Sequence, residues 1–192
     1  VTGTHIDMTK EKNYEQQLAD LANHDPLTGL ANRHALQTHY AAWQRQHTFC
    51  VAFIDLDNLK YVNDTLGHRS GDDVLVQLAQ RFRDACPHEV IPGRIGGDEF
   101  LLLLPWPPLH PEVQRTARRC LEAAVMPFEL SNGVANIGAS IGIVEIQKNE
   151  RFPDAVLRAD EAMYGVKHSG KNGIAFGDDM SGRSNSNQHI GQ

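Results

Sequence analysis

Leu36, Tyr40 and Trp43 recur at i, i+4 and i+7, and this spacing predicts an amphipathic helix capped by Asn32. The continuous apolar run 49–54 (FCVAFI) predicts a strand buried on both faces. After a polar stretch, Val74, Leu75, Leu78, Phe82 and Ala85 mark a second helix. Segments 90–95 and 100–104 read as strands flanking Gly96-Gly97, the strongest hairpin signal in the chain. Beyond the break at Pro105–Pro108, Val113, Ala117, Cys120, Leu121 and Ala124 form a third helical stripe. The alternating, β-branched stretch 137–146 predicts another strand. Pro153 opens a last helix through Ala155, Ala159, Met163 and Val166, which Gly170 stops before a short strand at 174–176. Strands joined by a hairpin between helical crossovers predict an α/β (α+β) sandwich, with helices on the faces of an antiparallel-containing sheet.

The two ends differ from this middle. Thr9 can cap a helix running to about Asn23, with Tyr14, Leu18 and Leu21 on one stripe. It reads equally as a connector pairing with its own copy and as a surface helix of the same domain. Segment 24–31 is a turn-rich joint, and from Asp178 the composition turns to Ser, Asn, Gly and Gln, as in a disordered tail or linker. The expected organisation is therefore 1–23, 24–177 and 178–192. Hydrophobic residues make up 41% of the 192, enough to bury a core and to exclude a disordered chain. A balance of 18 basic against 24 acidic residues, without a basic stripe, excludes general binding of nucleic-acid polymers. The apolar runs are too short to cross a bilayer, no signal peptide is visible, and Cys50 and Cys120 lie in apolar patterns. Reduced, buried thiols and a cytoplasmic location are expected, whether for a soluble protein or for the cytoplasmic part of a membrane-attached one.

Asp55 and Asp57 follow the buried strand, where α/β proteins place ligands, and residues two apart share a face. The hairpin adds Asp98 and Glu99. Four carboxylates on neighbouring elements repel one another unless a cation joins them, and Mg²⁺ or Mn²⁺ suits carboxylates that also receive phosphates. The other reading is a set of solvated turn acids. Asp72 reads also as an acid at a helix start, and Lys167 and Lys171, one turn apart, as cations on one face of a helix end.

Gly96-Gly97-Asp98-Glu99-Phe100 resembles the signature of the GGDEF domain of diguanylate cyclases. Three further blocks resemble that family in order: Asp25–Arg33 (DPLTGLANR), Ile54–Lys60 with Asn63–His68 and Gly71-Asp72, and Tyr164 with Lys167, Gly170, Lys171 and Asn172. The resemblance covers roughly residues 20 to 177. It implies a palm-like nucleotidyl-cyclase fold with a mainly antiparallel sheet, and condensation of two GTP into cyclic di-GMP with release of two pyrophosphates. It implies metal ligation by Asp55, Asp98 and the Leu56 carbonyl. Glu99 would assist hydroxyl deprotonation or hold a second ion, and Lys60 joins Asp98 and Glu99 in the catalytic set. Asn63 and Asp72 would read guanine, the amides of Asn58 and Leu59 with Lys60 would cradle phosphate, and Lys167 and Lys171 would hold the γ-phosphate. A homodimer is implied because each protomer holds one GTP. Residues 3–23 resemble the exit of a PAS-type sensor and its signalling helix, so an upstream sensor domain is expected. The family's product-inhibition pair, Arg-x-x-Asp, falls here on Pro87 and Val90, which cannot serve, while the nearby Arg94 could still contact phosphate. A catalytically silent module that binds GTP or acts as an interaction domain is the competing expectation.

Overall fold

The computed structural model describes residues 22–177. Its centre is strand β1 (Cys50–Asp57), whose alternate residues face two separate apolar layers. Cys50, Ala52, Ile54 and Leu56 point to one side, Val51 and Phe53 to the other, so burial on both faces accounts for the unbroken apolar run. β1 pairs antiparallel with β3 (Glu99–Leu104) and with β6 (Gly138–Glu145). β2 (Ile91–Arg94) extends the sheet antiparallel to β3, and β7 (Gly173–Phe176) lies parallel to β6. The spatial order is β2-β3-β1-β6-β7, a mainly antiparallel sheet as expected.

Helices cover both faces. Helix α1 (Arg33–Gln44) is capped by Asn32, whose side chain accepts from the Ala35 amide. It shares the Val51/Phe53 layer with the long helix α5 (Phe152–His168), through Leu36, Tyr40, Ala155, Ala159 and Met163. The opposite layer is closed by α3 (His68–Ala85) and α4 (Pro111–Val125), through Val74, Leu78, Phe82, Val113, Ala117 and Cys120. The stripes read from spacing are the buried stripes.

Two elements depart from the expectation. The polar stretch after β1 is helical, α2 (Leu59–Leu66), because Leu59 and Val62 bury against the layer that α3 closes. A small hairpin, β4 (Phe128–Leu130) with β5 (Gly133–Ala135), stands between α4 and β6. Residues 22–23 are helical, and the rest of the expected N-terminal helix, like the tail from 178, lies outside the described residues. Among the described residues no helix is long and apolar enough to cross a membrane.

Candidate active site

The C-terminal end of β1, the β2–β3 turn, the start of α2 and the end of α5 meet at one end of the sheet. Register explains the carboxylate cluster: Asp55 stands directly opposite Glu99 on β3 and opposite Ser140 on β6, so the three side chains share a face. The Leu56 amide donates to the Asp98 carbonyl at 3.1 Å, which ties the hairpin turn to β1 one residue beyond the last β1–β3 pair. Amide and carbonyl of a strand residue point to the same edge, so the Leu56 carbonyl also faces the Asp98 turn. A Cβ on Gly96 would sit 2.4 Å from Glu99 Oε2, so a side chain at this turn would displace the end of the Glu99 side chain.

Electrostatics follow from this crowding. Burial pushes the Asp55 carboxyl above its ordinary value, and the Asp98 and Asp57 charges add to that. The Lys167 ammonium, 2.5 Å from Asp55 Oδ1, pulls the other way. Glu99 is likewise raised, by burial first and then by Asp98, Asp55 and Asp160, with Arg33 opposing. Asp57 shares the face of Asp55 but is turned inward and 3% exposed, too buried to meet a ligand freely. Its Oδ2 accepts from Ser140 Oγ at 2.8 Å and from the Asn172 amide at 3.1 Å, while Oδ1 has no partner. Asp57 thus anchors the turn after α5 to β1.

The donor set fits a hard divalent cation. Lys167 occupies the cationic position at Asp55, and the carboxyls of Asp55 and Glu99, raised first by burial, both also feel the charge of Asp98. Among the described residues no group of three or more His, Cys, Asp and Glu side chains is placed to hold a metal ion. Asp55, Asp98 and the Leu56 carbonyl are oxygen donors of the type that Mg²⁺ takes alongside phosphates, and they are the groups that would hold it.

On the α3 side of the same turn, a cleft of about 300 Å³ is lined by Lys60, Asn63, Asp72, Arg94 and Asp98, with Leu59 and Leu75 as apolar wall. Asn63 lies against α3 where residue 71 has no side chain, and a Cβ on Gly71 would fall 1.8 Å from Asn63 Oδ1. Asp72 is the fifth residue of α3, past the first turn whose amides lack helical partners, so capping does not account for it. Asn58 precedes α2 in a left-handed conformation (φ 72°) with no side-chain cap, leaving the Asn58 and Leu59 amides at the turn into the helix. A larger cavity, about 530 Å³, lies between α1, the 24–31 turn and β2, but its lining includes no carboxylate.

One expectation is corrected, and two residues expected near phosphate are found already paired. Lys167 and Lys171 do not share a helical face: α5 ends at His168, and Gly170 (φ 117°) and Lys171 (φ 66°) turn the chain away. Lys171 is instead carried, exposed, in the turn that Asp57 holds through Asn172. Lys167, expected at a phosphate, is paired with the proposed metal ligand Asp55. Arg94 is not free: it donates to both Asp25 oxygens at 3.0 and 3.2 Å and to the Gly97 carbonyl at 2.9 and 3.2 Å. Asp25 in turn accepts from the Thr28 amide and hydroxyl, so the 25–30 turn is braced against the glycine turn of the hairpin. Asp25, Arg94 and Ser140 are positioning residues that spacing alone does not reveal, because each acts across elements distant in sequence.

The chain matches the family described as "Diguanylate cyclase, GGDEF domain" over residues 22–173. The diguanylate cyclase DgcM of Escherichia coli strain K12 is 33% identical over 173 residues, covering 88% of this chain and 42% of that protein. The chain therefore spans less than half the length of that relative. Among solved structures, the diguanylate cyclase SiaD of Pseudomonas aeruginosa, in complex with its activator SiaC, aligns with a TM-score of 0.77 at 31% identity. That alignment covers 88% of this chain and 67% of SiaD. The coiled coil and GGDEF domain of DgcB from Caulobacter crescentus, in complex with c-di-GMP, aligns at 0.79 with 25% identity, over 89% of this chain and 94% of that one. Sequence and backbone agree over nearly all the described residues, and the chain belongs to the GGDEF domain family.

Proposed function

We propose that this GGDEF domain is a diguanylate cyclase, joining two GTP into cyclic di-GMP with loss of two pyrophosphates. The observation that carries the reading is one continuous site in which Asp98 belongs both to the carboxylate cluster and to the Asn63/Asp72 cleft. Guanine presents its N1–H and exocyclic amine on one edge, and the Asp72 carboxylate accepts from both; adenine has no such pair. Asn63 donates to and accepts from the remaining purine edge. Lys60 and the amides of Asn58 and Leu59 receive phosphate oxygens at the start of α2.

Asp55, Asp98 and the Leu56 carbonyl would hold Mg²⁺ or Mn²⁺. When bound, such an ion lowers the pKa of the ribose 3′-hydroxyl and neutralises the departing pyrophosphate. Lys167, paired here with Asp55, and Lys171 on the neighbouring turn are the cations that would hold the γ-phosphate. Glu99, with its proton affinity raised by burial and by its acidic neighbours, either takes the 3′-hydroxyl proton or adds an oxygen to a second ion. One site holds one GTP, so each 3′-hydroxyl must attack the α-phosphate bound by a second copy of the domain, and an upstream sensor would set how often two copies meet.

The experiment is incubation with GTP and Mg²⁺ across a range of protein concentrations, with chromatography for cyclic di-GMP and ATP as control. Product from GTP alone, at a specific activity that rises with protein concentration, supports the reading. GTP binding with no product marks a silent regulatory module, and equal handling of ATP rejects the guanine assignment.

A further inference from the structure

Two of the three cysteines are in contact. Cys86 Sγ lies 3.7 Å from Cys120 Sγ, across 34 residues of sequence. The contact is fixed from both sides. Cys86 ends α3 with its amide on the Phe82 carbonyl at 3.0 Å, and Pro87 holds it in the extended region (φ −86°, ψ 135°). Cys120 is fully buried in the middle of α4, in the layer that α3 and α4 form against the sheet. Cys86 alone of the three cysteines is partly exposed, though it packs against the same apolar layer, and Cys120 is enclosed, so the pair is open to solvent only from the Cys86 side.

We propose that Cys86 and Cys120 form a reversible dithiol–disulfide site that takes hydrogen peroxide, or a similar two-electron oxidant, as its reactant. The Cys86 thiolate attacks one peroxide oxygen, the O–O bond breaks, one water leaves and Cys86 becomes a sulfenic acid. The Cys120 sulfur then attacks the Cys86 sulfur, the S–O bond breaks and a second water leaves as the disulfide forms. Two thiols are oxidised by two electrons, and the peroxide is reduced to two waters.

The order of events follows from the surroundings. Hydrogen bonding to Cys86 and burial hold the Cys120 thiol well above its ordinary pKa, so it enters second, as the resolving sulfur. Cys50 is a spectator, fully buried in β1 and pushed up to about 12 by burial and by Glu145. The bond would staple the end of α3 to α4. Asp72 lies near the opposite end of α3, fourteen residues and about 20 Å along the helix, so this chemistry is separate from the nucleotide cleft.

The test uses the reduced full chain, treated with a small excess of hydrogen peroxide and then unfolded for thiol titration. The count should fall from three free thiols to one, a non-reducing digest should yield a linked Cys86–Cys120 peptide, and dithiothreitol should restore all three. In Cys86→Ser both remaining thiols should survive the same treatment. In Cys120→Ser a trapping reagent for sulfenic acid should label Cys86. Three surviving thiols in the wild-type chain would overturn the proposal. So would Cys86 oxidised with Cys120 still free, or covalent dimers through Cys86 in place of the internal link.

Discussion

Asn63 reaches the cleft because residue 71 has no Cβ, and this gives a substitution with opposite effects on folding and binding. Gly71→Ala adds a better helix former, worth up to about 1 kcal/mol in a helix interior, while the new methyl must push the Asn63 amide aside. The variant is expected to fold at wild-type stability or above and to bind GTP roughly 10-fold or more weakly, since one lost polar contact costs about 1–3 kcal/mol. Calorimetry with GTP checks it, and unchanged affinity would remove Asn63 from the base reader. Asp98 sits in a half-buried turn and belongs to both halves of the site. Asp98→Ala should keep its circular dichroism and lose roughly 100-fold or more of the cyclase rate in a GTP turnover assay. Asp55 and Asp98 were legible as carboxylates at a strand end and a hairpin turn, whereas Asn63 and Asp72 were assigned only through the resemblance to the family. The Lys167–Lys171 relation was misread because helical spacing was extended through Gly170, where the helix has already ended.

Among the elements, the hairpin is positioned from outside itself. Arg94, on β2, grips the Gly97 carbonyl at the turn and is gripped by Asp25, thirteen-percent and seventeen-percent exposed side chains that solvent screens little. Burial alone would raise the Asp25 carboxyl, but its bonds to Thr28 and Arg94 together hold it below its ordinary value. A lowered native pKa stabilises the folded state fully above the unfolded value, and that contribution disappears as pH falls through the native one. Asp25→Asn is therefore expected to lose about 1–3 kcal/mol at neutral pH, with the gap to wild type closing below about pH 4. Denaturant unfolding at several pH values measures this, and a pH-independent gap would put the effect elsewhere. Element by element, legibility tracked apolar density. α4, α5, β1 and β6 show clear stripes or alternation, whereas α2 has only Leu59, Val62 and Leu66 among poor helix formers. Tertiary burial, not local preference, makes α2 a helix. The β4–β5 hairpin carried a readable signal in Asn132-Gly133, but strands of three residues leave no periodicity to support it.

At the scale of the whole domain, the surface before the hairpin lacks a second nucleotide site of the Arg-x-x-Asp kind. Val90 is 5% exposed and packed into the α3/α4 layer, and its amide closes a turn on the Pro87 carbonyl at 3.0 Å. Neither residue can present a charge or a side-chain hydrogen bond to a ligand. Titration of cyclic di-GMP into Asp72→Ala, where the cleft is disabled, is expected to show no binding tighter than about 10 µM, as loss of a bidentate, charge-assisted contact costs 100-fold or more. Submicromolar binding by that variant would mean that other residues have rebuilt such a site. The general fold class was legible because strand and helix order alone limits the layers that can form. The cleft was not, since it exists only after both sheet faces have been covered.

The pair between Asp55 and Lys167 closes 112 residues of chain, and Asp98 enters the same cluster from a third segment. None of these charges is near the others until β1, the hairpin and α5 have docked. A partly unfolded chain therefore has no place for nucleotide, and binding is confined to the native state. On the proposed function, mass action would make GTP with Mg²⁺ a stabiliser, by about 2.7 kcal/mol at a hundredfold excess over its dissociation constant. Scanning calorimetry should show a melting midpoint that climbs with the logarithm of GTP concentration and barely moves with ATP. A midpoint indifferent to both would mean that the three segments do not share one ligand. In a cell whose GTP rises and falls, the lifetime of this domain against proteolysis would follow the nucleotide supply.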